Sequence, residues 1–184
     1  MEIIETGISG LVEIRPKVFE DKRGFFMEVY NRQRYNDLGI TNDFCQENLS
    51  CSMYGVIRGL HYQLDPYSQA KLATCVLGRV YDVAVDLRKG SPTYGQWRGV
   101  LLDSEKHNQF LIPRGFAHGL AVLSDVAYFS YRCDNVYCPD AERGLAYNDK
   151  DIGIDWMIPT DKQIVSPKDT LWPQLRDVEA NFIY

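Results

Sequence analysis

Short runs of alternating or β-branched residues recur along this chain, each stopped by turn-forming residues, and that rhythm narrows the fold more than any other feature. The runs include Leu11-Val-Glu-Ile14, Phe25-Phe-Met-Glu-Val-Tyr30, Leu72-Ala-Thr-Cys-Val-Leu77, Val80-Tyr-Asp-Val-Ala-Val-Asp-Leu87 and Ala127-Tyr-Phe-Ser-Tyr-Arg132. Between them stand Asp21-Lys-Arg-Gly24, Leu77-Gly78, Lys89-Gly-Ser-Pro92 and Pro113-Arg-Gly115, which carry turn chemistry. Many short strands at such spacing predict a sandwich or small barrel. Helical signals are few. Asn31 can cap about two turns that Gly39 stops, and Ser166-Pro167 begins as a helix would, with Ser as cap and Pro in the first turn. With 184 residues and no repeat, low-complexity segment or linker, the expectation is one mostly-β domain over residues 1–184.

In Val80–Leu87 a period of two gives one core face and a second carrying Asp82 and Asp86. No histidine adjoins those aspartates at metal-ligand spacing, so they read as a solvated or hydrogen-bonded sheet face.

The hydrophobic share of 45% and aromatic share of 12% exclude a disordered chain. No apolar run approaches a membrane span, and Met1-Glu-Ile-Ile-Glu-Thr6 lacks the basic start and apolar core of an export signal. Cys45, Cys51, Cys75, Cys133 and Cys138 form an odd, scattered set. They are expected to be reduced thiols in a cytoplasmic protein, and the missing second pair argues against zinc. A net charge of −5 argues against nucleic acid as a partner. An anionic small molecule stays compatible with that sign, because local cations can outweigh the global charge.

The segment Arg58-Gly-Leu-His-Tyr-Gln63, with Lys71 and Ile112-Pro-Arg-Gly-Phe-Ala-His118 further on, places histidine among cations and aromatics in a chain that has only three histidines. Such a site can take a proton from carbon and hold the resulting anion, while Arg and Lys pair with phosphates. Each residue also has a plainer reading. A lone histidine in a strand is more often structural than catalytic. Alternation sends Gly59, His61 and Gln63 one way and Arg58, Leu60 and Tyr62 the other, so Arg58 reaches the same pocket only through its length or a bulge. Lys71, Arg23, Arg58 and Lys168 are either surface charges or clamps for phosphate and carbonyl oxygens. Tyr131 and Tyr137 are either packed aromatics, or a phenol within reach of substrate and a flat face for a nucleobase. Asp169 is either an acid at a helix start or the carboxylate that orients His61. A metal cupin wants a His-x-His pair, but His61 is followed by Tyr62 and Gln63, and His107 looks like an exposed turn residue. No metal and no cofactor are expected.

Taken together, Val18-Phe-Glu-Asp-Lys-Arg-Gly-Phe-Phe26, Gln46-Glu-Asn48, Gly55-Val-Ile-Arg-Gly-Leu-His-Tyr-Gln63, Gln69-Ala-Lys-Leu72, Asp82-Val-Ala-Val-Asp-Leu-Arg88, Gly90-Ser-Pro-Thr-Tyr-Gly95, Ile112-Pro-Arg-Gly-Phe-Ala-His-Gly119 and Ser166-Pro-Lys-Asp169 resemble, nearly end to end, the dTDP-4-dehydrorhamnose 3,5-epimerases. These are metal-independent cupins of deoxysugar biosynthesis. The resemblance implies a cupin-type jelly-roll β-sandwich with a few short helices. It also implies a homodimer, with N-terminal strands building the partner's side of the site, and a dTDP-linked 4-keto-6-deoxy sugar as substrate. By the same resemblance His61 is the base, held by Asp169, and Tyr131 is the acid on the opposite face of the sugar. Lys71 sits near the C4 oxygen, and Tyr137 stacks on thymine. Arg23, Glu28, Gln46, Asn48, Arg58, His118, Glu142 and Lys168 bind nucleotide, diphosphate or sugar. Three rivals stand beside double inversion at C3 and C5. One is a single-centre relative sharing the base and acid. Another is a non-catalytic sugar-nucleotide binder, which would tolerate loss of His61 or Tyr131. The third is a metal cupin oxygenase, disfavoured by the missing His-x-His.

Overall fold

The structure, a computed structural model, describes all 184 residues. In chain order its elements are β1 (Glu2–Glu5), β2 (Val12–Arg15), β3 (Val18–Asp21), β4 (Gly24–Met27), α1 (Arg32–Asp37), β5 (Gln46–Met53), β6 (Val56–Gln63) and β7 (Lys71–Leu77). There follow β8 (Arg79–Asp86), β9 (Trp97–Asp103), β10 (Gln109–Ile112), β11 (Phe116–Val122), β12 (Val126–Cys133), β13 (Glu142–Gly144) and β14 (Ile164–Val165). Four single 3-10 turns lie at Pro139–Ala141, Thr160–Lys162, Asp169–Leu171 and Leu175–Asp177.

The first sheet runs β1-β2-β10-β7-β12-β5 and the second β13-β6-β11-β8-β9, with β14 added parallel to β6. β3 and β4 form a separate hairpin, turned at Lys22-Arg23. Neighbours within each sheet come from distant parts of the chain, as β10 does between β2 and β7. This is a jelly-roll β-sandwich of cupin type, mostly β with few short helices.

Three apolar layers hold it. Ala73, Cys75, Phe110 and Phe129 from the first sheet meet Val80, Ala84, Leu102 and Leu120 from the second. A further layer joins Ile57, Val83, Val85 and Ala117, on the outer face of the second sheet, to Leu145, Ile152, Trp156 and Phe182 from the carboxy-terminal part of the chain. The third packs Tyr35 and Ile40 onto Val12, Ile14 and Leu72 of the first sheet. The expected two-turn helix is present as α1. Asn31 Oδ1 accepts from the Arg34 amide at 3.2 Å, and Gly39 follows at φ +84°, a conformation that stops the helix.

One expectation is narrowed and one corrected. Of the two readings of the face carrying Asp82 and Asp86, the solvated one falls, since both are fully buried, and the hydrogen-bonded one holds. Val80 and Ala84 of β8 face the space between the sheets and Val83 and Val85 face the carboxy-terminal layer, so both faces of the strand are covered. Asp86 survives there because both its oxygens are paired, as a buried carboxylate needs, whereas Asp82 pairs through Oδ1 with His118 and its buried Oδ2 has no partner. Asp86 accepts from Arg88 Nε and Nη2 at 2.9 and 2.8 Å and from Ser91 Oγ and Thr93 Oγ1 at 2.7 Å each. The Ser166 segment, in turn, makes only a 3-10 turn at Asp169–Leu171. Pro173 forces the residue before it out of helical space, and Trp172 is already extended at ψ 145°. Ser166 Oγ still accepts from the Asp169 amide at 3.2 Å, although the turn's cap is Lys168.

Candidate active site

The inner faces of the sandwich are apolar at one end and polar at the other. Along β7, Lys71 shares its face with Ala73 and Cys75, and along β12, Tyr131 shares its face with Ala127 and Phe129. On β11, His118 stands between the inward-facing Phe116 and Leu120. The polar ends of these strands line a cavity of about 460 Å³ together with Arg58, His61, Lys168 and Asp169.

β6 reaches this cavity twice through a bulge. His61 pairs with His118, but Arg58 pairs with Leu120, so three residues of β6 span two of β11. That extra residue turns Arg58 and His61 to the same side, which strict alternation forbids. Gly59 sits in the bulge at φ +116°, where a Cβ would stand 2.6 Å from the Gly119 Cα and from the His118 carbonyl oxygen. No other residue fits there.

His61 Nε2 lies 2.6 Å from Asp169 Oδ1, leaving Nδ1 as the nitrogen able to take a proton. Asp169 is buried and also accepts from Trp172 Nε1 at 3.2 Å and from the Gly59 amide at 3.4 Å. Burial alone pushes this carboxyl up. The hydrogen bond and charge of His61, with the Trp172 and Gly59 donors, outweigh burial and hold it below the usual carboxylate range. A second pair lies deeper, with His118 Nε2 at 2.6 Å from Asp82 Oδ1. Burial dominates there and pushes the His118 imidazole down, which favours its neutral form. The Lys71 ammonium lies 5.7 Å from the centre of the Tyr131 ring. Burial pushes Lys71 down and Tyr131 up, which weakens the hold of one on its proton and keeps the other a phenol. A base, a cation and a phenol around one cavity can move protons at carbon beside a carbonyl.

The model of the dTDP-4-dehydrorhamnose 3,5-epimerase family matches residues 5–177. The chain belongs to the dTDP-4-dehydrorhamnose 3,5-epimerase family. It is 50% identical over 170 residues to the dTDP-4-dehydrorhamnose 3,5-epimerase of Shigella flexneri, covering 92% of this chain and 93% of that one. The crystal structure of the Elizabethkingia anophelis dTDP-4-dehydrorhamnose 3,5-epimerase is 48% identical, with a TM-score of 0.92 over 96% of this chain and 97% of that one. The dTDP-6-deoxy-D-glucose-3,5-epimerase of Legionella pneumophila, solved with dTDP-4-keto-L-rhamnose, is 47% identical, with a TM-score of 0.93 over 97% and 94%. The protein is an isomerase of this epimerase family.

In this epimerase the expected site residues fall into three groups. His61, Asp169, Lys71, Tyr131, Arg58, His118 and Lys168 line the cavity. Tyr137, Glu142, Gln46 and Asn48 form a connected rim: Tyr137 Oη and Lys168 Nζ both donate to Glu142 Oε2, at 2.8 and 2.6 Å. The Tyr137 amide donates to Gln46 Oε1 at 2.9 Å, and Gln46 Nε2 to Asn48 Oδ1 at 3.2 Å. Arg23 and Glu28 join neither group within one chain. Arg23 is on the β3–β4 hairpin with Asp21, and Glu28 meets Arg34 and Asn31. No group of three or more His, Cys, Asp or Glu gathers as metal ligands. The sequence reading missed Asp82 as the partner of His118, and missed Trp172. Alternation marks Asp82 but cannot say which of two buried faces it takes. Nothing local announces Trp172.

Proposed function

We propose that this epimerase inverts C3 and C5 of dTDP-4-dehydro-6-deoxy-D-glucose to give dTDP-4-dehydro-L-rhamnose, with His61 as base, Tyr131 as acid and Lys71 at the C4 oxygen. The observation that carries the assignment of roles is the single cavity lined by the His61–Asp169 pair, the Lys71 ammonium and the Tyr131 phenol. C3 and C5 both flank the C4 carbonyl, so their protons are the acidic ones. His61 Nδ1 takes one, the C–H electron pair moves into the ring bond beside it, and negative charge passes to the C4 oxygen. Lys71 stabilises that enolate. Tyr131 then delivers a proton to the opposite face, because a group on one side of the ring cannot both remove and return a proton with inversion. Solvent resets both residues, and the sequence repeats at the second carbon.

The exposed Tyr137 ring stacks on thymine. Arg58, His118, Glu142, Lys168, Gln46 and Asn48 bind nucleotide, diphosphate or sugar oxygens. Arg23 and Glu28 come from a second copy in a homodimer of jelly-roll domains spanning residues 1–184. The exposed Leu49, Cys51 and Met53 along the edge strand β5 support that assembly. No helix is long and apolar enough to cross a membrane. All five cysteines are free, which suits the reducing cytoplasm.

Two variants test the roles in deuterated water. His61→Asn is expected to lose exchange at both carbons while still binding dTDP; retained exchange moves the base elsewhere. Tyr131→Phe is expected to lose full epimerisation, and survival of the doubly inverted product removes Tyr131 as the acid.

A further inference from the structure

We propose that Trp172 is a positioning residue for the base, its indole N–H fixing the Asp169 carboxylate against His61. This rests on the reading of His61 and Asp169 as the base and its orienting carboxylate. Trp172 Nε1 donates at 3.2 Å to Asp169 Oδ1, the oxygen that lies 2.6 Å from His61 Nε2. One carboxylate oxygen therefore holds two donors. The other accepts only the longer contact from the Gly59 amide at 3.4 Å. The indole also stands edge-on to the imidazole, with centroids 6.2 Å apart.

The fold makes room for this ring. Gly144 of β13 pairs directly with His61 of β6. A Cβ there would lie 2.2 Å from Trp172 Cδ2 and 2.4 Å from Cε2, although the Gly144 backbone needs no left-handed conformation. The missing side chain is what admits the indole beside the base. The Lys168 ammonium lies 5.6 Å from the Trp172 ring centre and donates to Glu142 Oε2. Trp172 thus stands between the base and the charged rim without being either.

The chemical consequence concerns charge. An N–H donor shared with the carboxylate takes up part of its negative charge. Without it, more of that charge acts on the imidazole, the imidazolium is favoured, and the neutral base is lost at higher pH. The other charged or titratable groups around the pair are Lys168 and Glu142 on the rim, and Lys71, His118, Arg58 and Tyr131 in the cavity. All of them remain in Trp172→Phe, whose ring keeps the packing against Gly144 and Lys168.

The test follows deuterium entry at C3 and C5 of the 4-keto sugar nucleotide across pH, for the wild type, Trp172→Phe, Gly144→Ala and His61→Asn. Trp172→Phe is expected to lose about tenfold to a hundredfold in kcat, the worth of one hydrogen bond to a charged group, with KM unchanged. The acid limb of its kcat profile moves to higher pH. Gly144→Ala, which displaces the ring and keeps the N–H, moves the limb the same way and stands in where Trp172→Phe does not fold. An acid limb unmoved in a folded variant of either kind overturns the inference, since a merely structural role lowers thermal stability and leaves the limb in place. Exchange surviving in His61→Asn would instead sink the reading of the base on which the inference rests.

Discussion

His118 is the residue whose surroundings most clearly set the protein's response to acid. It is buried between the sheets with its Nε2 on Asp82, and burial pushes its imidazole below the ordinary 6.5. The unfolded chain takes up this proton as pH falls through that ordinary value, whereas the folded chain resists until its lower one. Stability from this group is therefore complete above 6.5 and is lost as pH falls below it. Asp169 adds a second loss, starting only below its ordinary 3.8. Urea unfolding midpoints are thus expected to fall between about pH 7 and about pH 5, and His118→Gln to flatten that fall. An equally steep fall in the variant would move the effect to another group. The His118–Asp82 pair was not legible in the sequence. His61, Tyr131, Asp169 and the cations were, through the family resemblance, while residue type and spacing alone left their roles open. Alternation left open whether Arg58 joins His61 through its length or a bulge, and the structure answers with the bulge at Gly59, which puts Arg58 and His61 on one side.

At the scale of elements, the carboxy-terminal layer decides more than its scarcity of regular structure suggests. It buries the outer face of the second sheet through Trp156, Ile152, Ile158 and Phe182, and Trp156 Nε1 donates to the Tyr147 carbonyl at 2.7 Å. Trp156→Ala leaves a large cavity and an unpaired carbonyl, and is expected to cost about 3–5 kcal/mol in chemical denaturation, with the cavity residues untouched. A loss below about 1 kcal/mol would mean the layer is only loosely docked. Strands and α1 could be read in the sequence because alternation, the Asn31 cap and Gly39 are local signals. This layer could not, since its contacts join residues far apart in the chain and follow no period. For the same reason the sequence could not decide between a solvated and a hydrogen-bonded face for Asp82 and Asp86.

The whole molecule raises the question of where Arg23 and Glu28 act. In one chain they lie outside the cavity, and the β3–β4 hairpin carrying Arg23 also exposes Phe19, Phe25 and Phe26. A two-copy assembly with shared sites makes a definite prediction. Arg23→Ala and His61→Asn proteins, each weak alone, are expected to regain activity when unfolded and refolded together, since a mixed dimer holds one site with both native residues. Random pairing gives about a quarter of the wild-type sites. Activity no greater than the sum of the separate proteins would put Arg23 outside the partner's site. Proton NMR of dTDP-4-dehydro-6-deoxy-glucose incubated with the wild-type protein in deuterated water decides whether both centres are inverted. Deuterium entering at both C3 and C5, with a new L-configured product, is the predicted result. Deuterium at one carbon only would restrict the enzyme to a single centre, and none at either carbon, with dTDP binding intact, would contradict the account.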